Sequence, residues 1–340
     1  MRIAQVAPLC ESVPPRFYGG TERVVAYLTD ALVDDGDEVT LFASGDSVTK
    51  AHLIPPCHHA LRLNKNCIDP LAYHILMLET VFKEARSFDL IHFHIDYMQF
   101  PLLRREPVRS LTTLHGCLTI PDLVPLYREF AEIPVVSISD SQRDPLPWIN
   151  WQGTVYHGLP EDLYHFQEKP SDYLAFLGRI SPEKGLDRAI DIAERVGMPL
   201  KIAAKIDKAD KDYFTAVIQP RLNSSVVEFI GEIGNDEKDA FLGNAFALLF
   251  PIDWAEPFGL VMIEAMACGT PVIAFRRGSV PEIMVDGVTG FIVDDVDTAA
   301  AAVSRIALLS RLRCRKIFEA RFTVTRMVQE YRKLYARLIH

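Results

Sequence analysis

Two doubly wound α/β units built on parallel sheets are the architecture this sequence predicts, and three observations carry the prediction. Short apolar runs alternate with helix-like segments along the chain, the βαβ rhythm of parallel sheets. The alternation falls into two series, parted by a polar stretch at about 159–172 that Pro160 and Pro170 flank. The composition, 340 residues with 49% hydrophobic and 24% charged side chains, is that of a globular protein with room for two domains.

The first series opens with a strand at 2–8, a loop, a helix at 22–34 and a strand at 38–43. Strands at 90–94, 110–114, 135–138 and 153–155 follow. The second begins with a strand at 174–177 and a helix at 185–197, then strands at 200–204, 226–230, 248–251, 272–275 and 291–293. A last helix, 323–338, carries Met327, Tyr331, Leu334, Tyr335 and Leu338 on one face and basic residues elsewhere. In such sheets ligands lie at the carboxyl ends of the strands, which for two facing units means the cleft between them.

The stretch 247–275 is the most informative. An apolar run at 247–252 reads as a buried strand that 253–259 breaks, and a helix at 258–268 ends at Gly269 and Pro271 before the next strand. The first N–H groups of a helix lack intrahelical partners and sit at the positive end of its dipole, so they favour an anion such as phosphate. Gly259 lets the backbone come close. Glu256 lies in the loop and Glu264 within the helix, so the two carboxylates meet different ends of a hydroxyl-rich ligand rather than pairing with each other.

Three other segments carry chemistry-bearing residues. The loop at 14–22 places Gly19 and Gly20 just before a helix, where backbone N–H groups can face an anion; a plain tight turn is the alternative. Arg179 and Lys184 fall in what reads as a loop between strand and helix, as anion-binding cations or as surface charges paired with Glu183 or Asp187. His92, His94 and Asp96 alternate along one strand and form the rival signal, a set of metal ligands for a metallohydrolase. No second compact cluster supports it, and Cys57-His58-His59 with Cys67 lacks zinc-finger spacing.

The run Glu256-Pro-Phe-Gly-Leu-Val-Met-Ile-Glu264-Ala-Met-Ala-Cys-Gly-Thr-Pro-Val resembles the signature of the retaining group-one glycosyltransferases of GT-B fold, the glycosyltransferase family 4-like group. The likeness extends over nearly the whole chain and is densest at 174–292. It implies an acceptor-side Rossmann-like domain at 1–160, a nucleotide-sugar-binding domain at 161–322, and a terminal helix at 323–340 that crosses back onto the first domain. By the same resemblance Glu256 faces the donor sugar, the amides of Phe258, Gly259 and Leu260 hold sugar and phosphate, and Glu264 takes the ribose hydroxyls. The segment 177–185 is similar to the family's Gly-Arg-x-x-x-x-Lys-Gly element, which makes Arg179 and Lys184 the cations that meet charge building on the departing diphosphate. Gly19 and Gly20 then cover the donor phosphates, with Glu22 nearby on the acceptor side. His115 contacts the donor sugar, and Ser139 and Arg143 line the acceptor side. Gly278–Glu282 and Asp286–Gly290 complete the pattern as turn and fold elements.

Two positions depart from the family. His157-Gly158 stands where Asn-Gly is usual, and His also tolerates a left-handed turn. Ala203-Ala204-Lys205 replaces a glycine near the end of the second strand of the second domain, which makes Lys205 an extra phosphate contact.

The expected function is retaining, metal-independent transfer of a sugar from a nucleotide-diphosphate sugar to an acceptor hydroxyl, with no cofactor. UDP is favoured by its frequency in the resembled family; the acceptor, whether sugar, lipid-linked or small molecule, is not specified by the sequence. The alternatives are an epimerase or hydrolase on the same fold, a metal-dependent hydrolase using His92, His94 and Asp96, and a sugar-nucleotide binder without turnover. A net charge of −9 argues against nucleic acid. Residues 311–340 carry nine Lys or Arg against Glu319 and Glu330, so a peripheral membrane contact competes with packing on the acidic first domain, and the packing reading is preferred. Six scattered cysteines without a Cys-x-x-Cys pair read as reduced thiols. No stretch has the length of a membrane span and 1–9 lacks the layout of a signal peptide, so a cytoplasmic location is expected.

Overall fold

The computed structural model describes residues 1–62 and 64–339, with only the backbone of Asn235. It divides into two units, the first made of Met1–Pro160 and Val324–His340, the second of Glu161–Thr323.

The first unit is a seven-stranded parallel sheet in the order β3-β2-β1-β4-β5-β6-β7. Its strands are β1 (Arg2–Val6), β2 (Glu38–Phe42), β3 (His52–Ile54), β4 (Leu90–Phe93), β5 (Ser110–Thr113), β6 (Val135–Ser137) and β7 (Trp151–Thr154). The central strands β4, β5 and β6 are buried along their whole length, as both faces of a parallel sheet must be. β3 was not anticipated; it is a short, half-exposed edge strand with little apolar signal. The helix Pro70–Glu84 is begun by Asp69, whose carboxylate accepts from the Leu71 N–H, with Pro70 at the first helical position.

The last helix, Val324–Ile339, belongs to this unit. Its apolar face buries Met327, Tyr331 and Tyr335, and Arg332 reaches Asp37 at 2.8 Å and Asp35 at 3.2 Å. The basic tail is engaged by protein at several points: Arg326 donates to the carbonyls of Tyr156 and His157, and Arg337 to that of Gln152. His340, the end of the predicted 323–340 segment, lies outside the described residues.

The second unit is a six-stranded parallel sheet in the order β10-β9-β8-β11-β12-β13. The strands are β8 (Leu174–Ile180), β9 (Leu200–Ile206), β10 (Val227–Gly231), β11 (Ala247–Phe250), β12 (Val272–Phe275) and β13 (Gly290–Val293). Both sheets run outward in two directions from their first strand, so each has its order reversal beside that strand: between β1 and β4, and between β8 and β11. Loops diverge there and leave room for a ligand at the strand ends.

β8 and β9 run further than the sequence suggested, through Arg179 and Lys205. The expected loop position of Arg179 is thereby corrected: it is a strand residue, and Lys184 alone lies in a turn, Pro182–Lys184. Among the described residues no helix is long and apolar enough to cross a membrane.

Candidate active site

In the second unit, the residues singled out in the sequence converge on the carboxyl ends of three adjoining strands. Arg179 on β8 and Lys205 on β9 are register partners, so their side chains leave the same face of the sheet. Each carries a counter-ion: Lys205 meets Asp207 at 3.0 Å, and Arg179 meets Asp210 at 3.5 Å and pairs with Glu183. The Lys205 side chain holds the Asp207 carboxyl below its usual range.

Lys184 sits one turn further on. Gly185 after it adopts φ 70°, and a Cβ there would lie 2.2 Å from the Pro251 carbonyl oxygen, so only glycine lets this turn press against the end of β11. That closeness brings Lys184 Nζ to 2.5 Å from Glu256 Oε2. The indole Nε1 of Trp254 donates to the same oxygen at 2.8 Å, and the Lys184 ammonium lies 4.6 Å from the indole ring. Glu256 is therefore fixed from two sides. Its backbone is fixed as well: Ser279 N–H donates to the Glu256 carbonyl at 3.0 Å, and a Cβ on Gly278 would come within 2.4 Å of the Glu256 backbone.

The helix Leu260–Cys268 begins two residues later than expected, because Gly259 takes a left-handed conformation (φ 79°) before it. Phe258 points its ring into the core against Phe322 at 6.2 Å, so what it presents to a ligand is backbone. Glu264 is buried in the second turn of this helix, and Lys238 of the helix Asn235–Gly243 lies 3.3 Å from its Oε1. Lys238 and Trp254 were not picked out in the sequence. Nothing in spacing alone separates them from surface residues, although an indole two residues from Glu256 was a usable signal.

The first unit gathers a second set at the ends of β1, β4 and β5. Gly19 has φ 156° and precedes the helix Gly20–Asp34; a Cβ on it would meet Pro15 at 2.7 Å. Glu22 lies buried in the first turn, and burial pushes its carboxyl up to about 7. His115 follows β5, half-buried, and burial holds its imidazole down at about 3. Its ring stacks on that of His157 at 5.3 Å, and its backbone N–H donates to Asp96.

The set His92, His94 and Asp96 is laid out differently from the sequence expectation. β4 ends at Phe93, and Asp96 is the one non-glycine residue at positive φ (53°) among those described. Both ring nitrogens of His92 are taken, by Tyr335 at 2.8 Å and Thr113 at 2.7 Å. Those of His94 are taken by His115 at 2.9 Å and Gln5 at 2.8 Å. Among the described residues no three His, Cys, Asp or Glu side chains are grouped as metal ligands.

Ser139 and Arg143 do local work. The Ser139 hydroxyl accepts from the Gln142 N–H at 3.1 Å, and Arg143 lies over the Trp151 ring at 5.6 Å. The left-handed turn expected at His157-Gly158 does not occur: neither residue has positive φ, and His157 is a buried ring beside His115.

Two parallel α/β units with these strand orders, and a last helix belonging to the first unit, define the GT-B architecture. A sucrose-phosphate synthase structure from Thermosynechococcus elongatus shares it at TM-score 0.80 and 20% identity, covering 99% of each chain. So does Anabaena HepE in complex with UDP and glucose, at TM-score 0.75 and 17% identity over 99% of this chain and 100% of that one. The model of glycosyl transferases group 1 matches residues 164–321 and that of glycosyltransferase family 4 matches 18–140. The N-acetyl-alpha-D-glucosaminyl L-malate synthase of Bacillus anthracis is 25% identical over 360 aligned residues, 93% of each chain. The chain belongs to the group-one, family 4-like glycosyltransferases, and its activity is that of a glycosyltransferase.

Proposed function

We propose that this glycosyltransferase moves a sugar from a UDP-sugar to an acceptor hydroxyl with retention of anomeric configuration and without a metal ion. The observation that carries the reading is the cluster at the ends of β8, β9 and β11: three cations, a carboxylate held from two sides, and the start of the helix Leu260–Cys268.

As the glycosidic bond breaks, negative charge gathers on the departing diphosphate. Arg179, Lys184 and Lys205 supply fixed positive charge for it, and the N–H groups of Gly259 and Leu260 supply donors, the task a metal ion performs elsewhere. Glu256, immobilised by Lys184 and Trp254, positions the sugar. Glu264 accepts from the ribose hydroxyls. Of the first unit's residues, His115 bonds a sugar hydroxyl, and Gly19 and Gly20 offer backbone donors to phosphate. None of the carboxylates in this cluster is an unshielded nucleophile: Glu256 shares an oxygen with Lys184 and Trp254, and Glu264 is buried against Lys238. That agrees with attack by the acceptor on the face the diphosphate leaves. UDP is chosen because HepE, a structural neighbour, was crystallised with it.

The test is the anomeric configuration of the product formed from UDP-glucose labelled at the anomeric carbon, offered with a panel of sugar, lipid-linked and small-molecule acceptors in the presence of EDTA. An α-linked product with EDTA present is expected. A β-linked product, loss of activity to the chelator, or free sugar or an epimer released without acceptor contradicts the proposal.

A further inference from the structure

Gln5 stands in the middle of β1, fully buried, and its amide joins two branches of a hydrogen-bonded network. One branch runs from Gln5 Oε1 to His94 Nε2 at 2.8 Å and from His94 Nδ1 to His115 Nε2 at 2.9 Å. The other runs from Gln5 Nε2 to the Tyr335 hydroxyl at 3.3 Å, on to His92 Nδ1 at 2.8 Å, and from His92 Nε2 to Thr113 at 2.7 Å.

The donor and acceptor chemistry of these groups orders the protons. A carbonyl oxygen only accepts, so His94 carries its proton on Nε2. Burial holds the His94 imidazole well below its ordinary pKa, so the ring is neutral and its Nδ1 is bare. His115 must then donate to it from Nε2. His115 is neutral too, which leaves its Nδ1 bare, and that atom has no partner among the described residues. On the other side, Tyr335 accepts from the Gln5 amide and donates its own proton to His92 Nδ1, which puts the His92 proton on Nε2, facing Thr113. All three imidazoles thus take the Nε2–H form, the form a neutral imidazole side chain also prefers by itself. Turning the Gln5 amide over reverses every bond in both branches, so the amide is the single group that sets the order.

We infer that Gln5 is a positioning residue: its carbonyl, acting through His94 and anchored by Tyr335 of the terminal helix, fixes the His115 proton on Nε2 and presents Nδ1 to the donor sugar as a hydrogen-bond acceptor. The inference rests on the reading that His115 contacts that sugar. It adds a specificity rule, since a bare Nδ1 selects a sugar carrying a hydroxyl that can donate at that point. An acceptor-only substituent such as fluorine is refused there.

Ring-nitrogen NMR of histidine-labelled protein reads the tautomers directly, with no substrate and no turnover. Wild type is expected to show His94 and His115 in the Nε2–H form. Gln5→Met, which keeps the shape of the side chain and removes the amide, is expected to show both tautomers for these two rings. Tyr335→Phe, which frees the amide to turn over, is expected to do the same and serves if Gln5→Met does not fold. In both variants kcat/KM for the donor is expected to fall about tenfold while the acceptor KM stays unchanged. An Nδ1–H form of His115 in wild type, or tautomers that stay fixed in both variants, overturns the inference. Tautomers that mix while kcat/KM holds leave the relay standing and remove His115 from the donor sugar.

Discussion

Replacing Lys184 by Met keeps the length and apolar stem of the side chain and strips its charge, which isolates the contact with Glu256. The two side chains are 16% and 10% exposed and meet at 2.5 Å, so the pair is far from the solvent-screened regime in which an ion pair contributes about 0–1 kcal/mol. Removing one member of a buried pair costs about 3–5 kcal/mol, because the other charge is left without its partner. Glu256 retains the Trp254 indole N–H at 2.8 Å, which places the expected cost at the lower end, about 3 kcal/mol. For a unit of this size a kcal/mol corresponds to about 2–4 °C, so Tm falls by about 6–12 °C. Adding Glu256→Gln removes the stranded carboxylate, and the double variant is expected to return to within about 1 kcal/mol of wild type. Denaturant unfolding of wild type, the two single variants and the double variant closes the cycle. A loss below about 1 kcal/mol in Lys184→Met, or a double variant no more stable than it, refutes the claim that these two side chains hold each other in place.

Other consequences can be measured on the same protein. In Glu256→Gln, Lys184 is released from its carboxylate; UDP is expected to bind a few-fold more tightly while turnover falls by about 100-fold or more, as calorimetry and steady-state rates will show. Gly278→Ala forces a Cβ to within 2.4 Å of the Glu256 backbone and is expected to cost about 2 kcal/mol in unfolding experiments and about 100-fold in turnover, because it displaces that carboxylate. Glu22 has its carboxyl raised from 4.5 to about 7 by burial, so the folded state holds that proton more tightly than the unfolded chain. Its contribution is complete below about pH 4.5 and is lost as pH rises to about 7, so Glu22→Gln is expected to remove a pH-dependent term of about 3 kcal/mol between pH 4 and pH 8. The neighbouring histidines, lowered by burial, act in the opposite sense and lose stability as pH falls below about 6.5. The wild type minus variant difference isolates Glu22 from them.

Much of the architecture was readable because parallel strands buried on both faces leave apolar runs, as β11 and β12 do, and because Gly259, Gly269 and Pro271 punctuate a helix by known geometry. β3 and the late ends of β8 and β9 were not, since polar residues such as Arg179 and Lys205 can continue a strand once the neighbouring strand supplies hydrogen bonds. The candidate site was legible where chemistry is carried by residues close in sequence, as with Glu256 and Glu264. Partners brought by the fold were invisible: Lys238 to Glu264, Asp210 to Arg179, and Gln5 and Tyr335 to the histidines. The pattern His92, His94, Asp96 shows the converse. Its alternation reads as metal ligation until Thr113, Tyr335, Gln5 and His115 are seen to occupy the ring nitrogens.

The claim at the centre of this account is that the second unit binds a nucleotide diphosphate sugar through the cations of β8 and β9 and the ribose carboxylate Glu264. Calorimetric titration of UDP, GDP and ADP, each alone and as its glucose conjugate, into wild type and Glu264→Ala tests it most directly. Selective binding of UDP and UDP-glucose by wild type, lost in Glu264→Ala, is the expected result. Binding of none of the six ligands, or equal binding by wild type and variant, contradicts it.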